Sequence, residues 1–223
     1  MATIYSGNND GYVLAFSSSS WVNLKNLTTG TASSASLTYY IFAAQSSKLP
    51  TRGGGSIWVN ARSFFEFDTS SITETPTAAT LNIRGITNTA ADFFVIASNQ
   101  GGTLGTGDYD AMVLSGIPSG PDGSGAGSIE SYVTKYSDEV TTWTTGFNSI
   151  ALNSTALSQI ASASTFRVMC MESVHDMRDI EPSTHNRTGM YYADFSGTSN
   201  DPYLNITEAT TATDNATFFG CNF

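Results

Sequence analysis

The chain holds two histidines, His175 and His185, both within the stretch ESVHDMRDIEPSTHNRTG. Either imidazole would serve as a general base if the fold brought it a serine and an aspartate, the arrangement that activates a hydroxyl for attack. No nucleophile-elbow pattern accompanies them, and serine is too frequent here for a pairing by proximity to mean anything. A zinc site needs three or four His, Cys or carboxylate ligands at set spacings, and no such pattern occurs. Carboxylates do gather: Asp108 and Asp110 in GDYD, Asp122 in PDGSG, and Asp176, Asp179 and Glu181 in HDMRDIE. Hard oxygen ligands on loops suit calcium, although the spacing matches no EF-hand loop. Asp108, Asp110, Asp176 and Asp179 are therefore the candidate cation ligands, against the reading that they are solvated turn formers. GGTLGTG lacks the lysine of a phosphate-binding loop and opens no helical pattern, so no cofactor is expected beyond that calcium.

Flat aromatic rings stack on sugar faces, which makes Trp21, Trp58, Trp143 and Tyr109 the candidates for a glycan-binding surface. The competing reading is that large rings pack in the core or at its rim. The C-terminal stretch is polar and small until FFGCNF, where Phe218, Phe219 and Phe223 supply bulky apolar groups. Such groups need cover, either from the parent sheet or from a neighbouring subunit.

Strands must position these residues. SFFEFD sets Phe65 and Phe67 against Glu66 and Asp68, ATLNIRG sets Leu81 and Ile83 against Asn82 and Arg84, and FRVMCME sets Phe166, Val168 and Cys170 against Arg167. FNSIALN likewise alternates Ile150 and Leu152 with Ser149 and Ala151. Short period-two runs bounded by Gly, Asn, Ser or Pro are the pattern of an antiparallel sandwich rather than of βαβ units. YYIFAA and FFVIA, apolar on both faces, read as central strands. Helix is confined to a short turn through TALSQIA, capped by Asn153 or Ser154, and to a weaker candidate in SIESYVTKYS. MYYADFSGTSNDPYLNIT reads as a closing hairpin whose second strand is opened by Pro202.

The composition agrees. Among the 223 residues only 13% are charged, about half the ~25% of an average domain, and Ser, Thr, Asn and Gly fill the polar quota. Those residues favour turns and strand faces over helix interiors. A net charge of −10 repels phosphate backbones and anionic lipid heads, so nucleic acid and membrane surfaces are not expected partners. No apolar run is long enough to span a bilayer as a helix, and the first residues show no basic-then-apolar leader. Two cysteines, Cys170 and Cys221, make no disulfide framework, and Cys170 falls on an apolar strand face. One all-β domain over residues 1–207 and a tail over 208–223 is the organisation expected.

ARSFFEFDTSSITETPTAATLNIRG, LGTGDYDAM, YSDEVTTWTTGFNSIALNSTALSQI and YYADFSGTSNDPYLNIT follow one another in an order that resembles DNRLRE-type β-sandwich domains, notably those of phage proteins. The resemblance implies an antiparallel, jelly-roll-like sandwich of about eight or more strands with one or two short helical turns. It implies a virion structural role, as a capsid decoration, cement or fibre-like subunit made in a host cytoplasm, without catalysis. The expected partners are capsid or tail subunits and further copies of the chain, as a homo-oligomer such as a trimer. Because such domains are related to carbohydrate-binding modules, polysaccharide recognition is the alternative it implies.

Overall fold

A computed structural model of the protein describes residues 1–17, 19–86, 91–115, 128–193 and 197–209. The strands, in chain order, are β1 (Ala2–Tyr5), β2 (Gly11–Ser17), β3 (Ala32–Ser34), β4 (Tyr39–Pro50), β5 (Ser56–Asp68), β6 (Ala78–Arg84), β7 (Phe93–Ala97), β8 (Phe147–Ala151), β9 (Thr165–Glu172), β10 (Arg187–Tyr191) and β11 (Tyr203–Thr207). Two short helices accompany them, α1 (Trp21–Lys25) and α2 (Ser154–Ser162). Every ladder between these strands is antiparallel.

The smaller sheet runs β1-β11-β6-β8. The larger runs β10-β4-β5-β2-β3, and β9 adds to β5 and β7 to β9. The length of β5 explains this fork. Residues 56–61 pair with β4 and residues 63–68 with β9, so these two share one edge of β5 in tandem while β2 takes the other.

The alternation of the sequence becomes the sandwich core. Phe65, Phe67, Val95, Val168 and Cys170 of the larger sheet meet Leu81, Ile83, Ile150, Leu204 and Ile206 of the smaller one, all buried. The larger sheet is covered on its other face too. Val13, Phe64, Phe94, Met169 and Met171 pack there with Trp21 and Leu24 of α1, with Tyr109, and with Met177. Tyr109 lies in a 3₁₀ turn (Thr106–Asp110) and Met177 in a π-helical turn (Ser173–Met177). A sheet buried on both sides cannot alternate polar with apolar, which is why FFVIA in β7 is apolar throughout.

The expected helix in TALSQIA is α2, and Asn153 caps it by accepting from the Ala156 N–H. Two expectations are corrected. SIESYVTKYS forms no helix: its described residues make turns and isolated bridges, Val133 to Leu114 and Lys135 to Ile96. The Lys135 bridge lies along the free edge of β7, a tertiary need that local helix propensity cannot override. Nor is the closing stretch a hairpin. β10 pairs with β4 in the larger sheet while β11 pairs with β1 and β6 in the smaller, so the connection crosses between the layers. Pro202 does stand just before β11, where its carbonyl accepts from Ser6 N–H at 2.8 Å.

At the corner where the sheets join, Gly85 bridges to Met190 and Ile86 N–H reaches the Gly189 carbonyl. Any Cβ at Gly85 would collide with the Thr144 carbonyl and the Trp143 indole, so glycine is required for this close approach.

Candidate functional site

Of the candidate cation ligands, Asp108, Asp176 and Asp179 are engaged by neighbouring groups of the protein. Asp176, at the end of the π-helical turn, lies buried against Arg62 of β5, which donates from Nε to Oδ2 at 2.8 Å and from Nη2 to Oδ1 at 2.7 Å. The same guanidinium donates to the Tyr109 carbonyl at 2.6 Å and stacks over the Tyr109 ring with its carbon 4.2 Å from the centroid. Asp179 pairs with Lys25 Nζ at 3.0 Å and adopts a left-handed backbone, φ 60°, which aspartate tolerates better than most residues. Asp108 accepts from the Gly101 and Gly105 N–H groups, each at 2.8 Å, and so holds the 3₁₀ turn. Burial pushes the Asp110 carboxyl above its ordinary range, with Arg62 opposing. Arg62 and Lys25 thus engage Asp176 and Asp179, and backbone donors engage Asp108. Among the described residues no three His, Cys, Asp or Glu side chains converge on a metal-sized point.

Glu172 organises the same region. It is fully buried and its carboxylate accepts from the Val174, His175 and Asp176 N–H groups and from Asn186 Nδ2. This caps the π-helical turn and leaves the acid engaged on both oxygens. Burial pushes its carboxyl upward and the N–H bonds oppose that shift.

His175 Nδ1 lies 2.6 Å from the Ile180 carbonyl and His185 is exposed, and among the described residues neither imidazole bonds a hydroxyl or thiol. The tryptophan candidates are corrected by burial. Trp21, Trp143 and Tyr109 lie inside: Trp143 packs edge-on against Phe93 and donates to the Gly189 carbonyl, and the Tyr109 hydroxyl accepts from Asn60. A ring enclosed by protein has no face left for a sugar. Trp58 alone reaches the surface, where Lys48 Nζ sits 5.0 Å from its ring and Glu181 accepts from Nε1. Phe218, Phe219, Phe223, Asp122 and Cys221 lie outside the described residues.

A different aromatic surface emerges on the outward face of the smaller sheet. Tyr5 of β1 lies beside Tyr203 of β11, centroids 5.7 Å apart, and Phe147 of β8 meets Tyr203 edge-on at 5.3 Å. Arg84, opposite Phe147 in register, extends its guanidinium over Tyr191 of β10 at 5.6 Å, and Tyr191 contacts Tyr39 of β4 at 5.7 Å. Tyr5, Phe147 and Tyr39 are 43, 39 and 49% exposed. The ribbon thereby runs from the smaller sheet around the Gly85 corner onto the larger one.

Its electrostatics differ from those of the chain as a whole. Within the four strands of the smaller sheet Arg84 is the only charged residue, in a chain of net charge −10. Among the described residues Arg84 Nε has no hydrogen-bond partner. Flanking polar side chains bond to one another, Thr3 to Asn205 and Ser149 to Asn82, which leaves the rings as the salient groups. The period-two rule already implied this face: Tyr203 alternates with the core residues Leu204 and Ile206, placing an aromatic ring on the polar side.

A second concavity lies beside α2. A cleft of about 660 Å³ opens between that helix, the end of β7 and the start of β9, lined by Asn99, Thr134, Tyr136, Thr155, Gln159 and Arg167 among others. Neither a protein-family model nor a curated protein matches the chain.

Proposed function

We propose that the protein is a non-catalytic structural subunit of a phage virion, a decoration or fibre-like protein that works by attachment through the aromatic ribbon. The observation that carries this reading is the ribbon itself, a run of tyrosine, phenylalanine and arginine on a sheet face without carboxylates. Interface centres are enriched in those residue types and depleted of acids. In a strongly acidic chain, a face free of acids is where two copies meet with least repulsion. The double-covered larger sheet supports the reading as well, since it gives the ribbon a stiff backing.

The subunits assemble as a symmetric trimer with the ribbon at the contact. Light scattering on the eluting protein tests this: the wild type runs as a trimer, while the combined variant Tyr5→Ser, Phe147→Ser, Tyr203→Ser runs as a monomer with an unchanged circular dichroism spectrum. A monomeric wild type, or a variant that keeps the trimer, contradicts the ribbon as the contact. A second reading, recognition of polysaccharide, is favoured by a separate observation, the polar cleft beside α2.

A further inference from the structure

β8 is an edge strand: in the smaller sheet it pairs with β6 alone. The direction of its backbone groups follows from that ladder. Gly85 N–H donates to the Gly146 carbonyl and Leu152 N–H to the Ala79 carbonyl, each at 3.0 Å, at the two ends of the β6–β8 register. In an antiparallel pair, positions that exchange hydrogen bonds alternate with positions that do not. Asn148 and Ile150 therefore bond β6, and Phe147, Ser149 and Ala151 turn their N–H and C=O groups away from it. Among the described residues nothing meets those six groups. The side chains of the same three residues are exposed on the outward face. Natural sheets blunt such an edge with lysine, proline or a bulge. β8 has none of these: its register to β6 is unbroken and no residue in it is charged. The opposite edge of the sheet differs, since the chain leaving β1 is covered where Ser6 bridges Phe67 of β5.

A cleft of about 430 Å³ runs along the β8 edge, with the strand as one wall and residues 138–142 as the other. The second wall is fastened to the larger sheet, because Val140 exchanges hydrogen bonds with Phe93 of β7 at 3.2 and 2.8 Å. The cleft is thus the open seam between the two layers. A strand laid in it pairs with the β8 backbone and sends alternate side chains inward over Val140 and outward beside Phe147. Charge selects among occupants. Asp138 and Glu139 are the charged residues of the lining, and Arg178 already neutralises Glu139, which leaves the exposed Asp138. A second copy of β8 would bring a second Asp138 against the first, in a chain of net charge −10. An extended segment carrying lysine or arginine gains from the same carboxylate. We propose that the β8 edge docks an extended segment of a partner protein, with apolar side chains inward and basic ones among the rest, which joins the four-stranded sheet as a further strand. The inference goes beyond the aromatic ribbon: the ribbon uses the Phe147 ring, whereas this docking uses the Phe147 backbone.

The test is a titration of the isotope-labelled full chain with the acetylated and amidated hexapeptide Lys-Val-Thr-Val-Lys-Val at millimolar concentration, read by solvent-exchange NMR. In the free chain the Asn148 and Ile150 amides are expected to exchange slowly and those of Phe147, Ser149 and Ala151 rapidly. The peptide then slows the rapid three and leaves the other two as they were, an alternation that non-specific adhesion does not produce. Ser149→Pro removes one edge donor at a position where an edge strand accepts proline, and weakens binding about fivefold or more, the equivalent of one hydrogen bond. Ser149→Ala keeps that N–H and binds as the wild type does. Both variants lose the same side-chain contact to Asn82, so any effect of that loss is common to them. Glutamate in place of lysine in the peptide weakens binding to the wild type, and Asp138→Asn narrows that difference. Protection of Phe147, Ser149 and Ala151 without peptide means that another part of the chain or a second copy covers the edge, and overturns the proposal. A peptide that leaves these amides unprotected, or that binds Ser149→Pro undiminished, overturns it as well. The ribbon variant Tyr5→Ser, Phe147→Ser, Tyr203→Ser keeps the edge backbone, so loss of the trimer and loss of peptide binding are read separately.

Discussion

Removing the Arg62 side chain leaves the Asp176 carboxylate enclosed without a counter-charge, and that is costlier than losing the pair altogether. Breaking one partner of a buried ion pair typically costs about 3–5 kcal/mol, whereas replacing both by apolar groups of similar volume is often neutral. Arg62→Met is therefore expected to lower the unfolding free energy by about 3–5 kcal/mol, and the double variant Arg62→Met, Asp176→Leu to recover most of it. Urea unfolding of the three proteins measures this; equal stability of the single and double variants would contradict the pairing. Arg62→Lys is no remedy, because an ammonium cannot reproduce the two-pronged contact and the stacking on Tyr109. This is also where the sequence was least legible. Asp176 and Asp179 look like loop ligands because their cations are remote in the chain, Arg62 at a separation of 114 residues. Trp21 and Trp143 mislead for a related reason: residue type cannot distinguish a ring that stacks on a ligand from one that fills a core.

Among the elements, those that alternate against one partner layer are the ones period two reveals. β6, β8 and the inward face of β9 fall where Leu81, Ile83, Ile150, Phe166 and Val168 put them. Pairing partners are another matter, since alternation states which way a side chain points and not which strand lies alongside. The closing stretch therefore read as a hairpin although β10 and β11 belong to different sheets. The five-residue α1 escaped notice because no helical period can register in so short a segment; Ser20 caps it through the Asn23 N–H. The segment after β7, which does not become the expected helix, is fastened to the π-helical turn by Arg178. That guanidinium bonds Glu130 at 2.8 Å and Glu139 twice, at 2.9 and 2.8 Å. These hydrogen bonds hold both glutamates below the usual value of 4.5. A depressed folded-state value means the stabilisation is present above about pH 4.5 and is lost as the pH falls through the folded values. The melting temperature of the wild type is expected to drop across that acidic interval, and that of Arg178→Ala to drop less. Parallel pH curves for the two proteins would show that the clamp contributes nothing.

For the whole molecule, the antiparallel sandwich was legible because a sparsely charged, Ser/Thr/Asn-rich chain with short alternating runs has few other ways to bury its apolar side chains. The second core was not, because its cover comes from α1, the 3₁₀ turn and the π-helical turn, which carry no periodic signal. Among the described residues that extra layer leaves the smaller sheet as the side of the sandwich with an open outward face, and the aromatic ribbon lies there. The central claim is that this face joins the subunits into the assembly that the virion takes up. Quantitative mass spectrometry of purified source particles, grown with either the wild-type chain or the Tyr5→Ser, Phe147→Ser, Tyr203→Ser variant, tests it most directly. The account predicts the wild type in the particle at a fixed copy number and the variant missing from it though folded and soluble in the lysate. A wild type absent from the particles, or a variant incorporated at the same copy number, would contradict it.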